Sequence, residues 1–271
     1  MTNKIAFINA KGGVGKTTSI YHVAGVLARR GEKTLVIDFD KQRNLSDTMF
    51  MHSGGLLHRP KYTVYDCLLH KTAETAAATG KALFKKRGNA NPSYYKVDCM
   101  PGDIRLEDEK KLRRVDAGNF GEKLTRFIDE QGYKWLLVDM PPSSKAINDI
   151  CLSSIVDFII APFSSDIFSV SGFDDLMDTV SRAREHNPVL SILGIYLSRF
   201  VRNCAVDKYI KEQFEAFGNI FIDVQIPFAA DIRESVMFGR PISFYRNKSA
   251  SSVIAYERLV GEIENRINSA R

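Results

Sequence analysis

The sequence predicts an α/β fold, a single doubly wound and mostly parallel β-sheet flanked by helices. Three observations predict it. Short runs rich in Ile, Val, Leu and Phe recur as "IAFIN", "TLVIDFD", "YKVDCMP", "WLLVDMPP", "DFIIAPF", "ILGIYLSRF" and "IFIDVQIP", and most end in Asp, Pro or Ser, as buried strands do. Their apolar residues run continuously instead of alternating, so both faces need cover, which is the situation of a parallel sheet. Helical patterns lie between them, as parallel crossovers require.

The first run leads through a glycine-rich loop into "KTTSIYHVAGVLARRGEK". There Ile20, Val23, Ala24 and Leu27 follow the spacing of a helix with a buried face, and Gly31 suits its C-cap. "TLVIDFD" completes a βαβ unit whose loop lies at the carboxyl end of the first strand, where doubly wound folds bind ligands. Residues from about 52 to 119 form the least regular part, an irregular and basic elaboration. Within it, "KKRGNANPSYYK" reads as a turn-rich loop marked by Gly88 and Asn91-Pro92. The last helix carries Val253, Tyr256, Val260, Ile263 and Ile267 at three- and four-residue spacing. With no Pro/Ser-rich linker and no internal repeat, residues 1–271 are expected to form one domain.

Composition narrows the function. The 271 residues are 44% hydrophobic and 26% charged, which excludes a disordered or fibrous chain. Cys67, Cys99, Cys151 and Cys204 are scattered without a C-x-x-C pair, against a zinc site or disulfide framework. No apolar run approaches the roughly 18 residues of a membrane span, and the N-terminus does not read as a signal peptide. A cytoplasmic protein is expected. Lys and Arg number 38 against 32 Asp and Glu, a formal charge of +6. Residues 58–96 alone hold eight basic residues against two acidic ones, an excess compatible with a polyanionic partner.

The chemistry-bearing stretch is "NAKGGVGKTTS", Asn9 to Ser19. Gly12, Gly13, Val14, Gly15, Lys16, Thr17 and Thr18 sit where a strand ends and a helix begins. Glycines let backbone N–H groups turn inward around a phosphate, and the helix N-terminus adds its positive dipole. Lys16 is expected at the β- and γ-phosphates of ATP, with the Thr17 hydroxyl on Mg²⁺. Ala10 stands where a general P-loop has glycine, and Lys11 is an additional lysine. Asp38 and Asp40 end the second strand and Asp139 ends a strongly apolar one, where a carboxylate is costly unless it meets a cation.

"KGGVGKTT" resembles the deviant Walker A loop of the ParA/MinD superfamily, and other segments agree. "TLVIDFDKQRNLSD" is similar to its Asp-x-Asp motif, "KVDCMPGDIRLEDEKKL" to its "PG…L…E…L" segment and "WLLVDMPPSS" to its Walker B strand. "IPFAADIRESVMFGRPISFYRNKSASSVIAYERLVGEI" resembles the C-terminal block of ParA partition ATPases more than that of MinD. The resemblance runs with gaps from about Lys4 to Ile263.

The resemblance implies a short-form partition ATPase, with no helix-turn-helix domain before the P-loop. Lys11 would reach across a nucleotide-sandwich homodimer to the partner's phosphates. Asp38 would lie near Mg²⁺, Asp40 would hold the attacking water, and Asp139 would hold Mg²⁺ through water. Lys41 and Arg43 replace the family's common Pro and Gly around Gln42, which bears on the hydrolysis rate. Adenine is expected around Arg199, Pro227 and Phe228, although Phe228 also fits a core position. Non-specific DNA binding by the ATP dimer would draw on Arg199, Arg202, Arg233, Arg240, Arg246 and Lys248, with the segment around Lys85, Lys86 and Arg87 as a rival patch. The implied partner is a ParB-like centromere-binding activator, the implied location the nucleoid.

Other readings have their own marks. A MinD-like membrane regulator would use the terminal helix, but that helix carries Glu257, Glu262 and Glu264. Positioning of protein cargo is a further alternative. The iron–sulfur branch needs an interfacial cysteine pair that Cys151 and Cys204 do not form. A nucleotide-binding module without turnover would need Asp40 misplaced. A Rossmann dehydrogenase is excluded by the lack of G-x-G-x-x-G.

Overall fold

The computed structural model describes residues 1–52, 55–56, 59–69, 76, 78–85, 94–164, 171–201 and 204–271. Its centre is an eight-stranded sheet in the order β10-β9-β8-β1-β7-β2-β6-β5. The strands are β1 (Asn3–Phe7), β2 (Thr34–Asp38), β5 (Gly80–Lys85), β6 (Tyr94–Met100), β7 (Trp135–Asp139), β8 (Phe158–Ser164), β9 (Ser191–Phe200) and β10 (Phe221–Pro227). All neighbours pair in parallel except the β5–β6 hairpin. A small antiparallel pair, β3 (Met51–His52) and β4 (Gly55–Leu56), lies apart from it.

The continuous apolar runs become the central strands. β2 and β7 are buried at all five positions, and alternate residues serve two cores. Leu35, Ile37, Leu136 and Val138 join one core, while Val36, Trp135 and Leu137 join the other. Helix α1 (Lys16–Arg29) packs on the second face, where Ile20, Val23, Ala24 and Leu27 are buried as their spacing predicts. Gly31, at φ 79°, follows the helix end in the left-handed conformation.

Short helices α2 (Asn44–Met49), α3 (Val64–Leu69) and α4 (Glu109–Leu112) follow β2, and α5 (Ala117–Gln131) and α6 (Lys145–Ser154) flank β7. Helices α7 (Ser171–Arg184), α8 (Ala205–Glu215), α9 (Ala230–Met237), α10 (Ile242–Tyr245) and α11 (Ser251–Ala270) complete the described set. The predicted stripe of α11, from Val253 to Ile267, is buried in the second core. Arg29 of α1 and Arg30, which caps it, pair with Glu257 of α11, so this helix is committed to the sheet. Among the described residues no helix is long and apolar enough to cross a membrane.

The 52–119 region is more regular than the sequence suggests. It supplies the sheet's edge hairpin. Tyr94, placed by the sequence in a loop, belongs to β6, as do Tyr95 and Lys96, which the sequence placed both in that loop and in the strand run "YKVDCMP". Residues 86–93 of the expected loop lie outside the described residues. Cys67, Cys99 and Cys151 are buried and Cys204 is half-buried.

Candidate functional site

The glycine-rich loop joins β1 to α1 at the carboxyl edge of the sheet. Gly13 and Gly15 stand at φ 75° and 93°, a region costly for any residue with a Cβ. Gly15 occupies the N-cap position of α1 without a side-chain cap, which leaves the N-terminal amides of the helix directed at the cleft. Asn9 pins the loop: its amide donates to the Pro162 carbonyl at 2.8 Å, and its Oδ1 accepts from the Lys11 N–H at 2.9 Å. Ser198, at the end of β9, donates to the Val14 carbonyl.

Lys16 is the buried cation of this loop, only 7% exposed. Its Nζ donates to the carbonyls of Asn9 at 2.9 Å and Lys11 at 3.0 Å. Burial lowers its pKa, and the charges of Asp139 and Asp40 push it back up. Lys11 is half-buried at the mouth of the same loop.

Thr17 donates its hydroxyl to Asp139 Oδ2 at 2.7 Å. Asp139 is almost fully buried, and burial, then the charge of Asp38, raises its pKa well above the ordinary value. Asp38 is 0% exposed and burial pushes it up to about 6. Its oxygens accept from Asp40 N at 3.0 Å, Ser46 N at 2.9 Å and Ser46 Oγ at 2.6 Å. Asp38 therefore ties the strand end to α2. Asp40 is half-buried, lines the cleft, and accepts from Gln42 N at 2.9 Å.

Among the described residues no three His, Cys, Asp or Glu side chains form a ready ligand group. The Thr17–Asp139 pair nevertheless fits a Mg²⁺ that takes one or two protein oxygens and completes its shell with phosphate and water. Two buried carboxylates with raised pKa values beside a buried lysine are what an added cation would relieve.

The turn after β2 explains the family's glycine. Arg43 precedes α2 at φ 57°, the left-handed region that favours glycine, and holds it with a Cβ in place. Lys41 lies 3.7 Å from Glu107. Gly102 seals the turn from the other side: its N–H donates to Ser46 Oγ at 2.9 Å, and a Cβ there would come within 2.8 Å of the Asp40 carbonyl oxygen.

Beyond the loop lies a cleft of about 760 Å³, bordered by Gly15, Thr18, Arg199, Pro227 and Phe228. That volume suits a nucleotide-sized ligand. Phe228 is 47% exposed, so it is no core residue. Two guanidiniums approach its ring, Arg199 at 5.0 Å and Arg233 at 5.3 Å from the centroid. Arg199, itself at φ 56°, donates to the Gly13 carbonyl at 2.8 Å.

The candidate DNA residues have mixed fates. Arg233 is on Phe228. Arg246 is engaged with Glu234 at 3.4 Å and Asp231 at 3.8 Å. Arg240 is half-buried and Lys248 exposed. Arg202, Lys86, Arg87 and the side chain of Lys85 lie outside the described residues. Sequence reasoning missed Asn9, Ser46, Ser198 and the contact of Arg233 with Phe228. Gly102 alone had a local signal, the Pro-Gly pair after β6.

Comparison with known proteins shows the family. Residues 2–192 match the family described as AAA domain. The chain is 30% identical over 267 residues to the chromosome-partitioning ATPase Soj of Treponema pallidum, covering 97% of each. It is 29% identical to the chromosome partitioning protein ParA of Caulobacter vibrioides, covering 97% of this chain and 94% of that protein. The fold resembles the cell division ATPase MinD of Pyrococcus furiosus, with TM-score 0.70, 21% identity, and 98% and 99% of the two chains covered. It also resembles a putative plasmid partition protein of Borrelia burgdorferi bound to AMPPNP, with TM-score 0.74, 19% identity, and 98% and 100% covered. Cobyrinic acid a,c-diamide synthase of Mycobacterium smegmatis, solved with ADP and magnesium, shares the fold at TM-score 0.76 and 19% identity, with 100% and 97% covered. With a lysine-bearing phosphate loop, a Thr17–Asp139 pair and a relative of this identity along nearly its whole length, the chain belongs to the ParA-type ATPases of the ParA/MinD superfamily.

Proposed function

We propose that residues 1–271 act as one ATPase domain that binds ATP and Mg²⁺, dimerises face to face, and holds non-specific DNA until hydrolysis releases it. The observation that carries the reading is the buried Lys16, donating to carbonyls of its own loop beside Asp40, Asp139 and Thr17. A cation in this position gains a better partner when phosphate oxygens arrive. A bound Mg²⁺, held by Thr17 and through water by Asp139, would neutralise phosphate charge.

The chain's own groups supply the rest. The amides of Gly13 to Thr18 cradle the phosphates, and Lys16 turns from its carbonyls to them. Asp40, kept in place by Gln42 N, orients water in line with the terminal phosphate. Asp38 is a positioning group, because its oxygens already hold Ser46 and the Asp40 amide. Arg199, Pro227 and Phe228 border the place for adenine. Lys11 reaches the phosphates of the partner subunit, so ATP acts as glue and timer. Slow turnover, raised by a ParB-like activator, then sets the residence time on the nucleoid.

Duplex binding tests this reading. Wild-type protein should bind random-sequence duplex at least about tenfold more tightly with ATP than with ADP, an interval of about 1.4 kcal/mol. Asp40→Ala should prolong the ATP-bound complex. Equal affinity in both nucleotides would overturn the DNA-timing role and leave protein cargo or a membrane surface as the anchor.

A further inference from the structure

A second cleft lies at the opposite end of the strands. It encloses about 570 Å³ between the α1–β2 turn, the β5–β6 hairpin and the turn entering β7. Lys33, Lys81 and Lys96 line it, and all three are exposed. Across the hairpin Lys81 faces Asp98 and Leu83 faces Lys96, so the two lysines are diagonal neighbours on one face, roughly 7–8 Å apart by strand geometry.

The acidic groups of this cleft are already engaged. Glu32 pairs with Lys134 at 2.7 Å, and Asp98 accepts from the Tyr133 hydroxyl at 2.7 Å. Lys33 lies 4.9 Å from the centre of the Tyr133 ring. Lys81 and Lys96 make no hydrogen bond or ion pair among the described residues. The surrounding sequence, residues 58–96, carries a basic excess equal to that of the whole chain. By contrast, Arg246 of the C-terminal block is tied to two carboxylates.

We propose that this cleft is a second polyanion surface, taking the phosphates of a nucleic-acid strand on Lys33, Lys81 and Lys96. Phosphates need spaced point charges and no base-edge geometry, and that is what the hairpin offers. The surface sits at the amino ends of β2 and β7, whereas the phosphate loop lies at the carboxyl end of β1. Contact here is therefore independent of bound nucleotide. In the face-to-face dimer proposed above, both copies of the cleft point outward.

The test is the salt dependence of random-sequence duplex binding, measured with ADP and separately with ATP, for wild type and Lys81→Gln/Lys96→Gln. Each lost phosphate contact lowers the log–log salt slope by about 0.9, so the double variant should lose about 2 from the slope in both nucleotide states. Basal ATPase rate and melting temperature should stay at wild-type values. An unchanged slope with ADP, no measurable binding with ADP, or a loss confined to ATP overturns the proposal. Polyglutamate that binds as tightly as duplex, with the same dependence on the two lysines, would overturn nucleic acid as the partner. A lysine-dependent slope in a protein that never dimerises with ATP would uphold this surface while defeating the timing role proposed above.

Discussion

The two ends of the same parallel sheet handle charge in opposite ways. At the carboxyl end Lys16, Asp38 and Asp139 are buried together, and burial moves the pKa of each away from its ordinary value. At the amino end Lys81 and Lys96 are exposed, Glu32 is paired with Lys134, and Asp98 accepts from the Tyr133 hydroxyl. Burying charge is costly, and the ATP and Mg²⁺ proposed above would relieve that cost in the first arrangement. The second costs little, and its meaning comes from arrangement alone. Buried charge specifies a site; solvated charge specifies a surface.

The largest effect should come from breaking the buried end. Lys16→Met removes the cation nearest the phosphates and should lower ATP hydrolysis by about 10²–10³-fold, the scale for losing a group that stabilises transition-state charge. Steady-state phosphate release checks it. Asp139→Asn keeps an acceptor for Thr17 but removes the charge that a metal needs. It should weaken the Mg²⁺ dependence of nucleotide binding by about 10–100-fold, read by titrating Mg²⁺ against a fixed nucleotide concentration.

His22 isolates burial from charge pairing. It is fully buried on α1, accepts from Ile242 N at 3.0 Å, and burial lowers its pKa to about 3. Between pH 6.5 and 3 the unfolded chain binds a proton here and the folded chain does not. Stability therefore falls as pH falls through that window, by about 1.4 kcal/mol per unit. His22→Gln should remove that slope from denaturant-unfolding curves, whatever its effect at neutral pH. The smallest effect belongs to Arg43. Arg43→Gly relieves a left-handed residue and adds the unfolded-state entropy of glycine, for a net gain of up to about 1 kcal/mol, visible as a small rise in melting temperature.

The sequence was most readable where local chemistry and fold coincide. Continuous apolar runs marked the strands on either side of the site, and "GKTT" after a strand marked the start of α1 at the cleft. Strand β5 escaped notice because Lys81 and Lys85 bracket an apolar run of only three residues, Ala82 to Phe84. Asn9, Ser46 and Ser198 could not be singled out, since one polar residue in a run gains its role only from the backbone that folding brings to it. The fate of Arg246 is likewise tertiary: Asp231 and Glu234 meet it only once α9 and α10 pack. Phe228 looked equally suited to core or cleft until the two arginines beside it placed it at the rim.

The central claim is that ATP closes two copies of this phosphate loop against each other through Lys11. Sedimentation of wild type and Lys11→Ala with ADP, with ATP, and with ATP plus random-sequence duplex tests it directly. The account predicts an ATP-dependent dimer that binds duplex in the wild type, and a monomer in the variant that still binds ATP. A wild-type protein that binds ATP yet stays monomeric, or a variant that dimerises as well as wild type, would contradict it.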